Sequence, residues 1–337
     1  MKFGALVATV MAQLVLATTA WADPSPIIIK FSHVVAPDTP KGKAAEYFKT
    51  LTEERTGGRV KIEVYANSQL YKDKEELEAL QLGAVQMLAP SLAKFAPLGV
   101  REFEVFDLPY VFPSKEVLRA VTEGPIGRAL LDRLEAKGII GLAYWDNGFK
   151  IMSANTPLRK PEDFRGLKMR IQSSKVLDAE MRALGALPQV MAFSEVYQAL
   201  RSGVVDGTEN PPSNMYTQKM HEVQKYATLS NHGYLGYAVI VNKKFWDGLP
   251  TDLRRILEGA MNDSTHYANA IAQAENDEAM KAMKIVGKTE FHDLQPAERE
   301  AWRRALLPVH KEMESRVGKE LILAIEKEAA KFGFTNH

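Results

Sequence analysis

From Thr251 to Val286 the chain has no proline and a single glycine, Gly259, while Leu253, Ile256, Leu257, Ala260, Met261, Ala268 and Ile271 recur at helical spacing. That run predicts one long helix, or two joined by a kink. Such a helix is too long for one face of a compact domain and runs more naturally along two. The length of 337 residues also suggests two domains.

The segments before it switch repeatedly between strand and helix patterns. Pro26 to Phe31 is a short β-branched run that Ser32 to Pro37 breaks into a loop. Lys41 to Thr56 is helix-permissive and closed by Gly57-Gly58, and Arg59 to Tyr65 then alternates with Val60, Ile62 and Val64 on one face. A helix from Asp73 to Leu82, a strand from Val85 to Leu88, a helix from Lys115 to Ala136 and a strand from Gly138 to Trp145 follow. This order predicts an α/β unit with a largely parallel sheet.

A second unit starts after Trp145-Asp146-Asn147-Gly148. In Leu167 to Gln172 the apolar Leu167, Met169 and Ile171 share one face of a strand, and Lys168, Arg170 and Gln172 share the other. Ser194, a candidate N-cap, opens a helix to Ser202, and Val204 to Thr208 begins the next strand. Pro296 to Lys331 reads as C-terminal helices.

The N-terminus carries an export pattern. Met1-Lys2 is a minimal basic start, Phe3 to Ala22 is uncharged, and Ala20-Trp21-Ala22 is a small-residue cleavage pattern, so a signal peptide of residues 1–22 is expected to be cut after Ala22 into the periplasm. The alternative is a membrane anchor, against which the cleavage pattern argues. The formal net charge is +1 and becomes zero once Lys2 is removed, so no strong overall field points to nucleic acid or anionic lipid. With no cysteine, stability in an oxidising compartment must come from packing.

Catalytic and metal motifs do not match. The seven histidines show no paired-ligand spacing, and no cysteine supports a zinc site. Gly287-Lys288-Thr289 ends like a P-loop, but Ala282 stands where the first glycine belongs. Neither a G-x-S-x-G elbow nor a G-x-G-x-x-G fingerprint occurs. No catalytic residue, metal or cofactor is therefore expected.

Several stretches carry a family resemblance: Gln69-Leu70-Tyr71, Gly83 to Met87, Pro161 to Arg170, Phe193 to Leu200 and Gly203 to Asn210. In order along the mature chain they resemble the solute-binding proteins of tripartite ATP-independent periplasmic (TRAP) transporters. Trp145 to Leu249 is similar to the four-carbon dicarboxylate branch. The resemblance implies a two-lobed α/β clamshell with a long helix shared between lobes. Lobe I would comprise 23–147 plus about 236–275, and lobe II 148–235 plus about 276–337. It also implies a small carboxylate ligand such as malate, succinate or fumarate, delivery to membrane permease subunits, and no reaction. A periplasmic enzyme and a binding protein serving a sensor are the competing classes.

Carried over by position, Arg170 matches the family's carboxylate-binding arginine, whose planar fork of donors suits that anion. Asn210 matches a ligand-contacting asparagine, with a turn role before Pro211-Pro212 as the alternative. Phe193 matches a pocket aromatic, or else is plain core. Lys150 stands where many relatives carry a second arginine and would give a point charge to a second carboxylate, unless it is solvated. His33 and Ser91 follow predicted strands, where parallel sheets place ligand residues. Asn214 either contacts ligand or caps structure.

Overall fold

The computed structural model describes residues 25–334. The expected signal peptide and its cleavage site lie outside the described residues.

The chain builds one sheet, crosses to a second, and returns. Strand β1 (Ile27–Ser32) leads through helix α1 (Pro40–Arg55) to β2 (Val60–Tyr65), which pairs with it in parallel. Helix α2 (Glu76–Gln81) precedes the short β3 (Met87–Leu88), parallel to β1 on its other edge. Three 3-10 segments, Leu92–Lys94, Ala96–Leu98 and Arg101–Asp107, then lead to α3 (Lys115–Thr122) and α4 (Pro125–Asp132). Strand β4 (Ile139–Phe149) completes the outward path, and after Lys150 the chain enters the second sheet as β5 (Ile151–Ala154).

The second lobe continues with β6 (Lys168–Ile171), α5 (Lys175–Ala183), β7 (Leu187–Val190), α6 (Val196–Ser202), β8 (Gly207–Asn210), α7 (Pro212–Thr217) and β9 (Tyr226–Leu229). Strand β10 (Tyr234–Asn242) returns to the first sheet, followed by α8 (Lys243–Asp247) and α9 (Thr251–Val286). Last come β11 (Glu290–Asp293), α10 (Pro296–Leu306), α11 (Pro308–Val317) and α12 (Lys319–Ala330). The strand orders are β2-β1-β3-β10-β4 and β11-β9-β5-β8-β6-β7.

The sheets are more mixed than the sequence pattern predicts. Strand β10 runs antiparallel to both β3 and β4, because it re-enters the first sheet from the second lobe. All of its residues are buried, so Tyr234 to Asn242 shows no in-out alternation to read. The expected helix from Lys115 to Ala136 is broken at Gly124-Pro125. Proline has no N–H and starts α4, while a Cβ on Gly124 would lie 2.3 Å from the Ala120 carbonyl oxygen. Ser194 caps no helix; it lies inside a 3-10 turn, Phe193–Glu195, that precedes α6.

Helix α9 is a single helix over the whole predicted span, ending at Gly287 in the left-handed region at φ 69°. Leu253, Leu257, Ala260, Met261 and Ala268 pack in the first lobe's core with Phe31 and Trp145. Met283, near the other end, packs with Met215, Met220 and Ala227 of the second lobe. One helix thus serves both cores.

The C-terminal helices pack against both lobes. Trp302 and Leu306 of α10 do join the second lobe's core with Phe164 and Met169. The chain then breaks at Pro308, and Val309, Val317, Ile322, Ile325 and Ala329 cover Phe103, Leu118 and Val121 of the first lobe. The apolar stripes of α11 and α12 are buried there, and α11 also packs against α5 of the second lobe.

Candidate functional site

Besides α9 and the link from α10 to α11, the chain passes between the lobes at Lys150 and at 230–233, and these two crossings are tied by the Lys150 N–H donating to the Gly233 carbonyl at 2.9 Å. Above this hinge the lobes meet across a cleft. Arg170, Gln172, Phe193, Asn210 and Asn214 line it from the second lobe, and Lys41, Asp73, Ser91, Lys94 and Tyr237 from the first. The space between them is about 20 Å³.

Arg170 reaches the cleft because β6 alternates. Met169 and Ile171 are fully buried on the core face, and Arg170 takes the opposite side at 3% exposure. Its Nε and Nη2 both donate to the Met191 carbonyl, at 3.0 and 2.8 Å, and the guanidinium carbon lies 5.8 Å from the centre of the Phe193 ring. Burial works against its charge, while Asp73 and Glu209 favour it.

Lys41 faces it from the first lobe. It follows Pro40 in the first turn of α1, where the helix dipole disfavours a cation. Its Nζ donates to the Ala89 carbonyl at 2.9 Å and sits 3.7 Å from the Tyr237 ring centre. Burial and the nearby Lys94 lower its pKa to about 7, against the pull of Glu76 and Asp73. Among the described residues neither Arg170 nor Lys41 has a carboxylate within 4 Å, whereas Lys94 pairs with Asp73 and with Glu76 at 2.7 Å. Burial favours a neutral Asp73, but Lys94 and Arg170 outweigh it and hold the carboxyl at about 2.

Polar groups fill the gaps between these charges. Ser91 donates to the Gln172 amide oxygen across the cleft, and the Phe193 N–H donates to Asp73. Asn147 donates to Asn214 at 3.0 Å and to the Tyr237 hydroxyl at 2.7 Å, and Asn210 Nδ2 reaches Thr208 at 3.4 Å.

The structure does not bring Lys150 or His33 into this lining. Lys150 is buried at the hinge and donates to Glu209 at 2.7 Å, because β8 sets that carboxylate beside the crossing. Glu209 also meets His232 Nε2 at 2.9 Å, and His232 Nδ1 lies 2.6 Å from Ser230. Glu180 stands 3.4 Å from His232, and burial with the charge of Glu209 raises its pKa well above the carboxylate range. Atoms of Glu180, Glu209 and His232 lie close enough to hold a cation, but the Lys150 ammonium already neutralises Glu209 there. The His33 ring is buried without a partner in good geometry, and burial and Lys41 lower its pKa to about 3. It is a neutral ring beside the site.

Sequence reasoning missed Lys41, Lys94, Asp73 and Tyr237 as lining residues. Gln172 was legible from the β6 alternation, and Lys41 carried a signal in its position next to Pro40, where a solvated lysine gains nothing. Lys94, Asp73 and Tyr237 lie on 3-10 turns, a loop and a fully buried strand, none of which has a readable period.

Two α/β lobes joined by a double crossing and a shared helix, closing over buried cations, define a clamshell binding protein. The family model described as bacterial extracellular solute-binding protein, family 7, matches residues 31–316, and the chain belongs to that family. It is 69% identical to the C4-dicarboxylate-binding periplasmic protein DctP of Rhodobacter capsulatus, over 97% of this chain and 98% of that one. Among solved structures it resembles a TRAP periplasmic solute-binding protein of Shewanella oneidensis with bound succinate (TM-score 0.88, 42% identity, covering 90% and 99% of the two chains). It likewise resembles one from Pseudomonas aeruginosa with bound L-malate (TM-score 0.83, 44% identity, 85% and 100%).

Proposed function

We propose that this protein captures a four-carbon dicarboxylate in the periplasm and presents it to the permease subunits of a TRAP transporter. One observation carries the reading: Arg170 and Lys41 face one cleft from opposite lobes, both buried and neither matched by a carboxylate. Buried cations are costly unless paired, so the cleft is built to receive anionic charge from outside the chain. Two cations on opposite walls suit a ligand with a carboxylate at each end, and the names and bound ligands of the relatives agree. Arg170 offers a fork to one carboxylate and Lys41 a point charge to the other. Asn210, Asn214 and Ser91 supply neutral hydrogen bonds, and Phe193 packs against the guanidinium. Lys150 and His33 act from behind, as hinge and wall.

Closing the lobes removes water from the ligand and strengthens each charge-assisted bond. The closed shape is then what a permease recognises. The expected signal peptide, cut after Ala22, fits a protein that works outside the cytoplasmic membrane. Binding without turnover is the expected chemistry. The test is a thermal-shift and calorimetric screen of succinate, malate and fumarate beside sugars and amino acids, with the ligand recovered and weighed afterwards. Stabilisation is RT ln(1 + [L]/Kd), about 2.7 kcal/mol at a hundredfold excess over Kd. A response to sugars alone would overturn the ligand class, and a chemically changed ligand would overturn the absence of catalysis.

A further inference from the structure

The cleft does not end at Arg170. Beyond it lies a second chamber of about 290 Å³, with Leu77 of α2, Pro97 and Leu98 on the first lobe's side and Val190 and Met191 on the second's. Most of its surface is apolar, but Lys74, Glu78, Gln81 and Ser173 line it too and Val190 is half exposed, so it opens to solvent. Four side chains line both spaces: Asp73 and Lys94 from one lobe, Arg170 and Gln172 from the other. They form a polar partition between a narrow inner site and a roomier apolar chamber. The partition is fastened across the lobes, since Asp73 accepts the Phe193 N–H and pairs with Lys94, while Gln172 accepts from Ser91.

We infer that Asp73 and Gln172 are the specificity-determining residues of this site, a steric filter that confines it to short, unbranched dicarboxylates by sealing it from the chamber. Arg170 and Lys94 carry the positive charge of the partition, so selection by size falls to the other two. Shortening either one joins the chamber to the site, which then takes a carboxylate bearing an alkyl tail. Each methylene moved from water into an apolar chamber is worth roughly fourfold in affinity. The inference rests on the carboxylate reading of the cleft.

The test compares succinate with 2-butylsuccinate by calorimetry in the wild-type protein and in Gln172→Ala, Asp73→Ala and Asp73→Asn, each checked for folding by a thermal melt. The expected result is that the preference for succinate over 2-butylsuccinate falls at least tenfold in both alanine variants and holds in Asp73→Asn, which keeps the bulk without the charge. An unchanged preference in both alanine variants overturns the filter. So does an equal fall in Asp73→Asn, which would assign selection to charge. Loss of both ligands in both alanine variants also overturns it, by placing these side chains in the grip on the carboxylate. A wild-type protein that binds no dicarboxylate would overturn the reading of the site itself, a failure visible before any variant is compared.

Discussion

Lys41 and Arg170 approach one cleft from opposite lobes, and the carboxylates nearby are committed to Lys94 rather than to them. The two cations should respond differently to substitution. Arg170→Ala should weaken dicarboxylate binding by at least roughly a hundredfold, the scale of ~3–5 kcal/mol for a desolvated carboxylate left without its partner. Arg170→Lys keeps the charge but loses the fork, and should cost about 2 kcal/mol, or roughly thirtyfold. Lys41→Met should weaken binding by a comparable ~2 kcal/mol, yet leave the ligand-free protein as stable as before or more so, because it removes a buried cation that Lys94 repels. Titration paired with ligand-free melts reads both effects. Near-normal affinity in Lys41→Met would remove it from the site.

The lowered pKa of Lys41 gives the site a pH signature with opposite signs in its two states. Between about 7 and the ordinary lysine value of 10.5 the folded protein holds fewer protons at Lys41 than the unfolded chain does, so this residue makes ligand-free stability rise with pH across that window. A bound dianion favours the charged amine, so affinity should fall as pH rises above about 7, by up to tenfold per pH unit. Binding at pH 8 should then take up a proton, seen as a dependence of calorimetric heat on the buffer's ionisation enthalpy. Lys41→Met should abolish both trends. Persistence of the affinity trend in that variant would assign it to another group.

At the hinge, Lys150→Met should act on stability before it acts on binding. It leaves Glu209 buried with only His232 as partner, a loss of about 3–5 kcal/mol, and adding Glu209→Gln should restore part of it. Burial pushes the Glu209 carboxyl up, but Lys150 and His232 hold it below its ordinary value. The stabilisation is therefore present above the ordinary carboxylate pKa and lost as pH falls through the depressed one. The gap between wild type and Lys150→Met in urea unfolding should shrink on acidification. A large affinity loss at unchanged stability would instead return Lys150 to the ligand.

What the sequence disclosed depended on whether a segment had a period and one exposed face. The long helix α9 was legible end to end, since its apolar residues recur at helical spacing and no proline interrupts them. Arg170 was legible for the same kind of reason, as the polar side of an alternating strand. Strand β10 was not, because both of its faces are buried, and with it went the antiparallel return and Tyr237. Lys150 shows the limit of carrying a position over by resemblance: a cation was foreseen there, but its partner, Glu209, lies 59 positions away in sequence, and only the packing of β5 against β8 brings them together.

The last prediction concerns the place where α9 is fastened to the hinge. Asn276 is buried, and its Nδ2 donates to the Asn147 carbonyl at 2.6 Å and to Ala272 at 2.8 Å, while its Oδ1 accepts the Ser213 N–H at 2.9 Å. One side chain thus joins the shared helix to the end of β4 and to the start of α7, one element from each lobe. Asn276→Ala strands a buried carbonyl and a buried N–H, each costing about 1–3 kcal/mol, so a total loss of roughly 2–6 kcal/mol is expected. Gly148 presses on the same side chain, since a Cβ there would lie 2.8 Å from Asn276 Nδ2. Gly148→Ala should therefore destabilise the native protein both by displacing Asn276 and by straining a backbone at φ 157°, and only the first part of that cost should be relieved once Asn276 is already alanine. Urea unfolding of the two single variants and the double variant measures the coupling. It should exceed the ~0.5 kcal/mol scatter of independent sites, and strictly additive losses would show that Asn276 and Gly148 do not constrain one another.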